Sequence, residues 1–351
     1  MTASIISLLS SALLVLLGMY IISQNGSKPN GTILLGVSLP GHAMKDKAVT
    51  DIVRQYRRAH SILILISLPL LFPIMLLRED EILTIAYYLL WIAALLCLWL
   101  KITSNYFARM SSLKAEKQWQ VGSRNTISID TEVSRLKHTF ILPKSWFLLP
   151  LAILIVPIAV GGLFEQPEAL LWSITITGGI LLALFFFIHL AIGKMRTKTY
   201  SEDTETNLYL NHLFKSQWSR CMVLLAILSS LFHVALLYAA EVQNTVVYAI
   251  IVPVYSLATI VVAVLPHYRI RAERNRLLRA NDEAIQRDDD RYWIGGIIYN
   301  NPNDHSLFVE KRIGIGMTMN VGTFGGKLIA AGIVLLLVGT IAFTAWAMLG
   351  S

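Results

Sequence analysis

Cysteine and charged residues are both scarce in this sequence of 351 residues. The only two cysteines, Cys97 and Cys221, each lie in or beside an apolar segment, which excludes a disulfide framework and leaves no pair at metal-ligand spacing. Charged residues make up 15% of the chain, whereas a soluble domain carries roughly 25%. So little charge cannot cover a soluble protein of this length, and 55% of the residues are hydrophobic. The composition predicts an integral membrane protein.

The hydrophobic residues are concentrated in eight runs. A helix of about 20 apolar residues spans a hydrocarbon core roughly 30 Å thick, which matches these runs. They are residues 3–23, 61–77, 82–101, 145–163, 169–193, 219–239, 245–266 and 325–349. No basic residue precedes the first run, so we expect it to be a retained span and not a cleaved signal peptide. We predict an all-α membrane protein, a polytopic bundle of about eight transmembrane helices.

Positive charge is segregated along the chain. Of the 30 Lys and Arg residues, 29 lie in the four long loops that follow the first, third, fifth and seventh runs, and Arg78 is the exception. Lys and Arg resist translocation, so we expect a cell-membrane protein with cytoplasmic long loops and both termini outside. Basic residues at membrane borders also explain the net charge of +8 without nucleic acid.

The chain is predicted to divide into a seven-helix region (1–266), a cytoplasmic module (267–324) and a last helix (325–351).

The last long loop changes from helical to strand-like character. The basic stretch 267–279 should continue the seventh helix past Pro266. Residues 292–299 are apolar and aromatic, residues 300–304 (NNPND) form a concentrated turn signal, and residues 307–309 resume β character. Gly314 and Gly316 permit a second tight bend. We predict a small cytoplasmic β-hairpin module before the last helix.

The same tail resembles a known family. The residues that carry the resemblance are Trp293, Gly296, Tyr299, Asn301, Pro302, Asp304, Leu307, Phe308, Val309, Arg312, Gly314, Gly316 and Asn320. They are similar to the C-terminal motif of a bacterial membrane-protein family, domain of unknown function 5808. Residues 36–40 (GVSLP) and 56–58 (YRR) also resemble the first cytoplasmic loop of that family, whose members are similar to the sporulation-delaying toxin immunity family. The resemblance implies a fold and a cell-membrane location, and no established activity.

The tail supplies most of the candidate binding residues. Trp293, Tyr299 and Arg312 could present an aromatic and guanidinium surface to a partner or a lipid headgroup. Asn301, Asp304 and Asn320 belong to the same motif. The alternative is structural, with Asn301 and Asp304 shaping a turn and Arg312 pairing with an acid or a phospholipid, and we favour it.

Histidines and outer acidic residues are weaker candidates. His189 falls near the cytoplasmic end of its predicted helix and His233 lies deeper in the next long one, where a buried imidazole needs a polar partner. A satisfied core histidine is the favoured interpretation of both. Acidic residues collect in the short outer loops, where they could attract a cationic peptide or a divalent cation. The favoured interpretation is that they collect there simply because the basic residues are retained inside. These acidic residues are Glu79, Asp80, Glu81, Glu165, Glu168 and Glu241.

Missing signatures narrow the function. No P-loop, intramembrane-protease motif or metal-binding spacing is present, so we predict no enzyme activity, cofactor or metal. No predicted span has a charged residue near its centre, which disfavours ion-coupled transport. We predict a non-enzymatic protein of envelope-stress response or of immunity to membrane-active agents, with membrane lipids and an amphipathic small molecule or cationic peptide as partners. The alternative is a transporter or flippase for an apolar or amphipathic solute, because glycine pairs and prolines interrupt several runs.

Overall fold

The computed structural model describes residues 2–119, 140–159, 168–201, 203–280 and 288–349. It is mostly helical, at 75% of the chain, with small sheets. The helices within these ranges are α1 (Thr2–Gly26), α2 (Lys47–Ser67), α3 (Pro73–Leu76), α4 (Glu81–Glu116), α5 (Leu148–Ala159), α6 (Glu168–Lys194), α7 (Thr204–Val242), α8 (Thr245–Ala280) and α9 (Phe324–Leu349). The strands are β1 (Ile33–Leu34), β2 (Val37–Ser38), β3 (Trp293–Ile294), β4 (Ile298–Tyr299), β5 (Phe308–Glu310) and β6 (Met317–Met319).

Six helical segments among the described residues are long and apolar enough to cross a membrane. They are Leu8–Gly26, Lys47–Leu76, Ile82–Glu116, Leu171–Lys194, Thr204–Val242 and Val246–Leu278. Two further apolar helical segments, Lys144–Ala159 and Phe324–Leu335, are shorter. The expected membrane-embedded helical protein is therefore supported by length and composition, whereas the count of eight spans stays a prediction.

Contacts divide the chain into two compact units. The first unit comprises Met1, Val15–Thr126 and Ile285–Ser351, and the second comprises Thr2–Leu14 and Ile127–Ala284. In the order of the sequence, most of the second unit therefore lies between the two large segments of the first. The predicted division at residues 266 and 324 follows membrane topology and stays a prediction.

Side-chain caps and turns define the elements of the first unit. Asp46 caps α2 by accepting a hydrogen bond from the backbone of Ala48 at 2.7 Å, and Asp80 of the acidic group caps α4 through Leu83 at 2.9 Å. β1 and β2 form an antiparallel pair joined by Leu35 and Gly36, both with positive φ (49° and 83°), as a type I′ turn requires. Leu35 is buried despite its turn position, in a core built from these two strands, α2 and Met110 of α4. Apolar burial therefore compensates for the unfavourable backbone conformation of Leu35.

The strands of the tail pair differently from the sequence prediction. Residues 292–299 do not form one strand, because Gly295 and Gly296, with φ of 59° and 73°, reverse the chain so that β3 pairs with β4. β5 pairs antiparallel with β6, and the bend between them contains Gly314 and Gly316, both with positive φ as expected. The segment 300–304 connects the two antiparallel pairs.

In the second unit, α5, α6 and α8 pack against α7. Asp203 caps α7 by accepting from Thr206 at 2.9 Å. Lys215 of α7 is fully buried, and its ammonium group donates to the carbonyls of Gly193 (3.1 Å) and Met195 (2.8 Å) at the end of α6. A cation in this place compensates the negative end of the α6 dipole. As expected, α8 continues through Pro266 into the basic stretch.

Candidate functional site

Arg312, in the bend between β5 and β6, is the centre of a buried polar cluster in the first unit. Its side chain is only 3% exposed and pairs with the carboxylates of Asp289 and Asp290. It also donates to the backbone oxygen of Gly36 at 2.5 Å and lies 3.3 Å from the hydroxyl oxygen of Ser38. The planar guanidinium group suits this task because it donates in several fixed directions at once. One side chain therefore joins the tail, the acidic run before β3 and the turn between β1 and β2.

Lys114, near the end of α4, completes the charge balance of the cluster. Its ammonium group lies 2.6 Å from Asp288 and 2.7 Å from Asp290. The backbone amide of Ser38 donates to the Asp290 carboxylate at 3.1 Å. Burial opposes ionisation of Asp290, but the charges of Arg312 and Lys114 outweigh it and hold the pKa of this carboxyl below its ordinary value. We call Lys114, Asp288–Asp290 and Arg312 the latch.

The aromatic residues of the tail lie inside this arrangement. The Arg312 guanidinium carbon lies 5.2 Å from the centre of the Trp293 ring, and the Trp293 and Tyr299 rings are 5.1 Å apart. Trp293 and Tyr299 are 6% and 5% exposed. The three residues predicted to form a binding surface are thus brought together, but they contact one another and offer little surface to a partner.

Asn320 organises the segment between β4 and β5. It is completely buried, its amide donates to the carbonyls of Asn301 (2.8 Å) and Asp304 (2.7 Å), and its side-chain oxygen accepts from the amides of Asn301 and Gly322. The Tyr299 hydroxyl lies 3.3 Å from the Asp304 carboxylate, and burial raises the pKa of Tyr299 to about 12, so it remains a donor at neutral pH. Every polar group of the Asn320 side chain is used within the chain, so Asn301, Asp304 and Asn320 act as a structural staple.

Backbone segments approach closely beside the latch. A methyl group added to Gly36 would lie 3.2 Å from the Cα atom of Gly296, and one added to Gly296 would lie 2.7 Å from the Phe107 ring of α4. A larger residue at position 36 would push the β1–β2 and β3–β4 turns apart, and one at position 296 would push the β3–β4 turn away from Phe107. Glycine is required at both positions for this approach and for the positive φ.

His60 of α2 belongs to a second buried polar group in the first unit. Its Nδ1 lies 3.0 Å from the Tyr56 carbonyl, which can only accept, so Nε2 accepts from the Thr103 hydroxyl at 3.2 Å. Trp99 of α4 donates to Ser23 of α1 at 2.9 Å. These contacts join α1, α2 and α4 through polar groups within the apolar bundle.

The two candidate histidines of the second unit are both buried, in different surroundings. His233 Nδ1 donates to the Ser229 carbonyl at 2.7 Å, which is the satisfied core arrangement. His189 Nδ1 lies 3.2 Å from the Ser219 hydroxyl oxygen, which accepts from the Leu142 amide. The other ring nitrogen of His189, Nε2, has no hydrogen-bond partner within the described part of the chain. A serine and a histidine in contact resemble half of a catalytic arrangement, but His189 is fully buried and packs on Phe147 at 5.1 Å between ring centres.

No metal site accompanies these clusters in the described part of the chain. The described residues contain no group of three His, Cys, Asp or Glu side chains able to hold a metal ion. A cavity beside Lys215 has a volume of about 10 Å³, which admits one water molecule. Of the acidic group predicted in the outer loops, Glu165 lies outside the described residues.

Sequence reasoning named Arg312 but missed its partners. Lys114 and the run Asp288–Asp290 carry the opposing charges, and Lys114 lies 174 residues from Asp288 along the chain. The available signal was three consecutive acids shortly before a motif with a single arginine, for which pairing with an acid was one of the predicted roles. Lys215 was missed as well, because it lies in the hydrophilic first turns of a helix that begins well before its apolar run.

Comparison with known proteins links the tail to an uncharacterised family. Residues 302–327 match a family described as "Family of unknown function (DUF5808)", and this segment contains Asp304, Arg312 and Asn320. No curated protein matches the chain, and no solved structure does. The matched segment therefore includes one end of the latch and most of the staple, but only a small part of the chain.

Proposed function

We propose that this protein is a non-enzymatic, multi-pass protein of the cell membrane that protects the envelope against membrane-active agents. It has about eight transmembrane helices, with both termini outside. Its long basic loops lie at the cytoplasmic face, where the latch holds three of the four together. Its partners are membrane lipids and an amphipathic molecule or cationic peptide.

The latch is the observation that carries this topology. Gly36, Lys114 and Arg312 lie in three different long loops that the charge pattern predicts to be cytoplasmic. Arg312 contacts Gly36 directly and shares Asp290 with Lys114, which supports the condition that all three loops lie on one side of the membrane. An even number of crossings between these loops satisfies that condition, and the predicted order of spans provides it. The segment Lys144–Ala159, which contains α5, and helix α9 supply the two crossings beyond the six long segments.

The chemistry of the buried groups supports a non-enzymatic role. The latch pairs its cations with carboxylates, and the staple uses its amide groups on the backbone, so neither presents a reactive group. A cavity for one water molecule beside Lys215 also gives no support to passage of an amphipathic solute. The protective role itself rests on the resemblance of the tail and first loop to a bacterial family related to toxin-immunity proteins.

Topology and protection are tested separately. Cysteines at Thr50 and Asn244, both exposed, are labelled with a membrane-impermeant maleimide after replacement of Cys97 and Cys221. We expect the label at Asn244 in intact cells and at Thr50 only after permeabilisation, and the reverse pattern would refute the orientation.

Protection is measured as survival of a gene-deletion strain exposed to a cationic amphipathic peptide. We expect lower survival than in the parent strain, restored by the wild-type gene and by Arg291→Ala but not by Arg312→Ala. Unchanged survival of the deletion strain would contradict the protective role, whatever the topology assay shows.

A further inference from the structure

The β3–β4 hairpin presents two isoleucines side by side on its outer face. The register pairs Trp293 with Tyr299 and Ile294 with Ile298. Because side chains alternate along a strand, Trp293 and Tyr299 share the buried face, and the two isoleucines share the other. Ile294 is 54% exposed and Ile298 is 43% exposed. Two adjacent β-branched side chains would lose favourable burial in water, so this face calls for an apolar environment.

The depth of the hairpin is fixed by its contact with α4. A methyl group added to Gly295 would lie 2.3 Å from the Ser104 hydroxyl oxygen, so the turn of the hairpin rests directly on Ser104. Ser104 follows Lys101, the last residue of the third apolar run, by three positions, or about 5 Å along a helix axis. The hairpin therefore contacts α4 at the level where the hydrocarbon core gives way to lipid headgroups.

The β3–β4 turn also covers the next position of an apolar stripe of α4. Leu96, Leu100 and Ser104 are spaced four residues apart and share one helix face. Leu96 and Leu100 are 44% and 42% exposed, as lipid-facing residues are, and the next position on that face is covered by the hairpin. The β3–β4 turn therefore lies directly next to the lipid-facing surface of α4.

The residues that border the hairpin suit a membrane interface. Tyr292 precedes it, and the Arg291 guanidinium carbon lies 4.7 Å from the centre of the Tyr292 ring while its nitrogen donates to the Tyr292 hydroxyl at 2.8 Å. Tyrosine and arginine are typical of the headgroup region. The neighbouring acids Asp288–Asp290 face Arg312 and Lys114 in the latch, which offsets most of their repulsion for anionic lipid.

We propose that the β3–β4 hairpin is a membrane-interface anchor, with Ile294 and Ile298 inserted among the lipid headgroups and upper acyl carbons of the leaflet beside α4. The occupant of this face is lipid and not a second copy or a protein partner. This role goes beyond the proposed function, because it assigns a lipid contact to a segment outside the apolar runs. It requires only that α4 spans the membrane.

Spin-label accessibility tests this proposal. Single cysteines replace Ile294, Ile298, Leu90 and Thr50, in turn, in full-length protein that carries Cys97→Ser and Cys221→Ala. Each labelled protein is reconstituted in vesicles of phosphatidylcholine and phosphatidylglycerol, and its collisions with oxygen and with a water-soluble nickel complex are compared. Leu90, exposed in the middle of its run, reports the hydrocarbon core, and Thr50, exposed near the start of α2, reports water.

We expect the oxygen-to-nickel ratio at both isoleucine positions to lie several-fold above that at Thr50 and below that at Leu90. A ratio at Ile294 and Ile298 equal to that at Thr50 would mean a hairpin in water and would overturn the proposal. Low collision rates with both reagents would mean a protein cover, and would overturn it equally. The Leu90 label distinguishes failure of this proposal from failure of the proposed function. An oxygen-to-nickel ratio at Leu90 equal to that at Thr50 would mean that α4 does not span the membrane.

Discussion

Replacing Arg312 with alanine should release the tail from the first loop and from α4. The substitution removes the partner of Asp289, one of the two cationic partners of Asp290, and the donor to the Gly36 carbonyl. Lys114 remains, so Asp288 and Asp290 keep one cation between them. The Asp289 carboxylate is left without its charged partner beside a buried surface.

The size of the effect follows from burial. Removing one partner of a buried ion pair costs about 3–5 kcal/mol, because the remaining charge stays desolvated. Asp289 is 41% exposed and can recover part of its hydration, which favours the lower end of that range. Since roughly 1.4 kcal/mol corresponds to a factor of ten, a loss of about 3 kcal/mol raises the open population of the tail on the order of 100-fold.

Amide hydrogen exchange measures this opening directly. In the reconstituted protein, peptides that cover residues 33–39 and 308–320 should exchange on the order of 100-fold faster in Arg312→Ala, because local opening governs their protection. Arg291→Ala is the matched control: it removes a positive charge next to the same acidic run, but from an exposed side chain. Exchange in Arg312→Ala that equals the wild type, or that equals the control, would refute the latch.

Three further outcomes are expected from the same assay. The stability that Asp290 contributes is fully present above the unfolded-state pKa of about 3.9 and is lost as the pH falls through its lowered folded-state pKa. Amide exchange of the tail, corrected for the intrinsic rate, should therefore be constant from neutral pH to about pH 5 and accelerate only below about pH 4. A transition near neutral pH would contradict this. Gly296→Ala adds a methyl 2.7 Å from the nearest ring atom of α4 at a φ of 73°, which should destabilise the tail by roughly 2 kcal/mol or more, whereas Gly41→Ala, with no neighbouring atom within 4 Å, should be neutral. Asn320→Asp turns two donated hydrogen bonds into contacts between oxygen atoms and should destabilise the staple by about 2–5 kcal/mol. The control Asn303→Asp, at an exposed position, should change the stability of the tail little. Equal effects of the two substitutions would show that the staple is not needed.

Local features of the fold were predictable from the sequence. The apolar runs and the continuation of α8 past Pro266 depend on the residues of each segment, and the described parts of these segments are mostly helical. The positive φ at Gly314 and Gly316 was expected for the same reason. The β1–β2 turn was missed because its strands have two residues each and because Leu35, a residue uncommon at positive φ, occupies the turn.

The candidate site could be predicted only in part. The tail motif indicated Trp293, Tyr299 and Arg312, but not whether they face a partner or one another, because that depends on what packs against them. Residues 292–299 have the composition of one strand, yet Gly295 and Gly296 reverse it so that Trp293 meets Tyr299 across the hairpin. No periodicity in the sequence relates Lys114 to acids 174 residues later. Charge pairing over such distances is a property of the folded chain.

The latch also sets an order of events during biosynthesis. Lys114 and the β1–β2 turn are synthesised long before Asp288, which follows Lys114 by 174 residues. At roughly 5–20 residues per second, the ribosome needs about 9–35 seconds to make that stretch. Throughout this interval the buried surface of the first loop lacks the tail that covers it, because residues 127–284, which belong to the second unit, are synthesised first. Closure of the first unit is therefore a late step. A chain released before residue 288 would expose Lys114 without its acidic partners to the quality-control machinery of the cell, and one released before residue 312 would lack the contact that Arg312 makes with the β1–β2 turn.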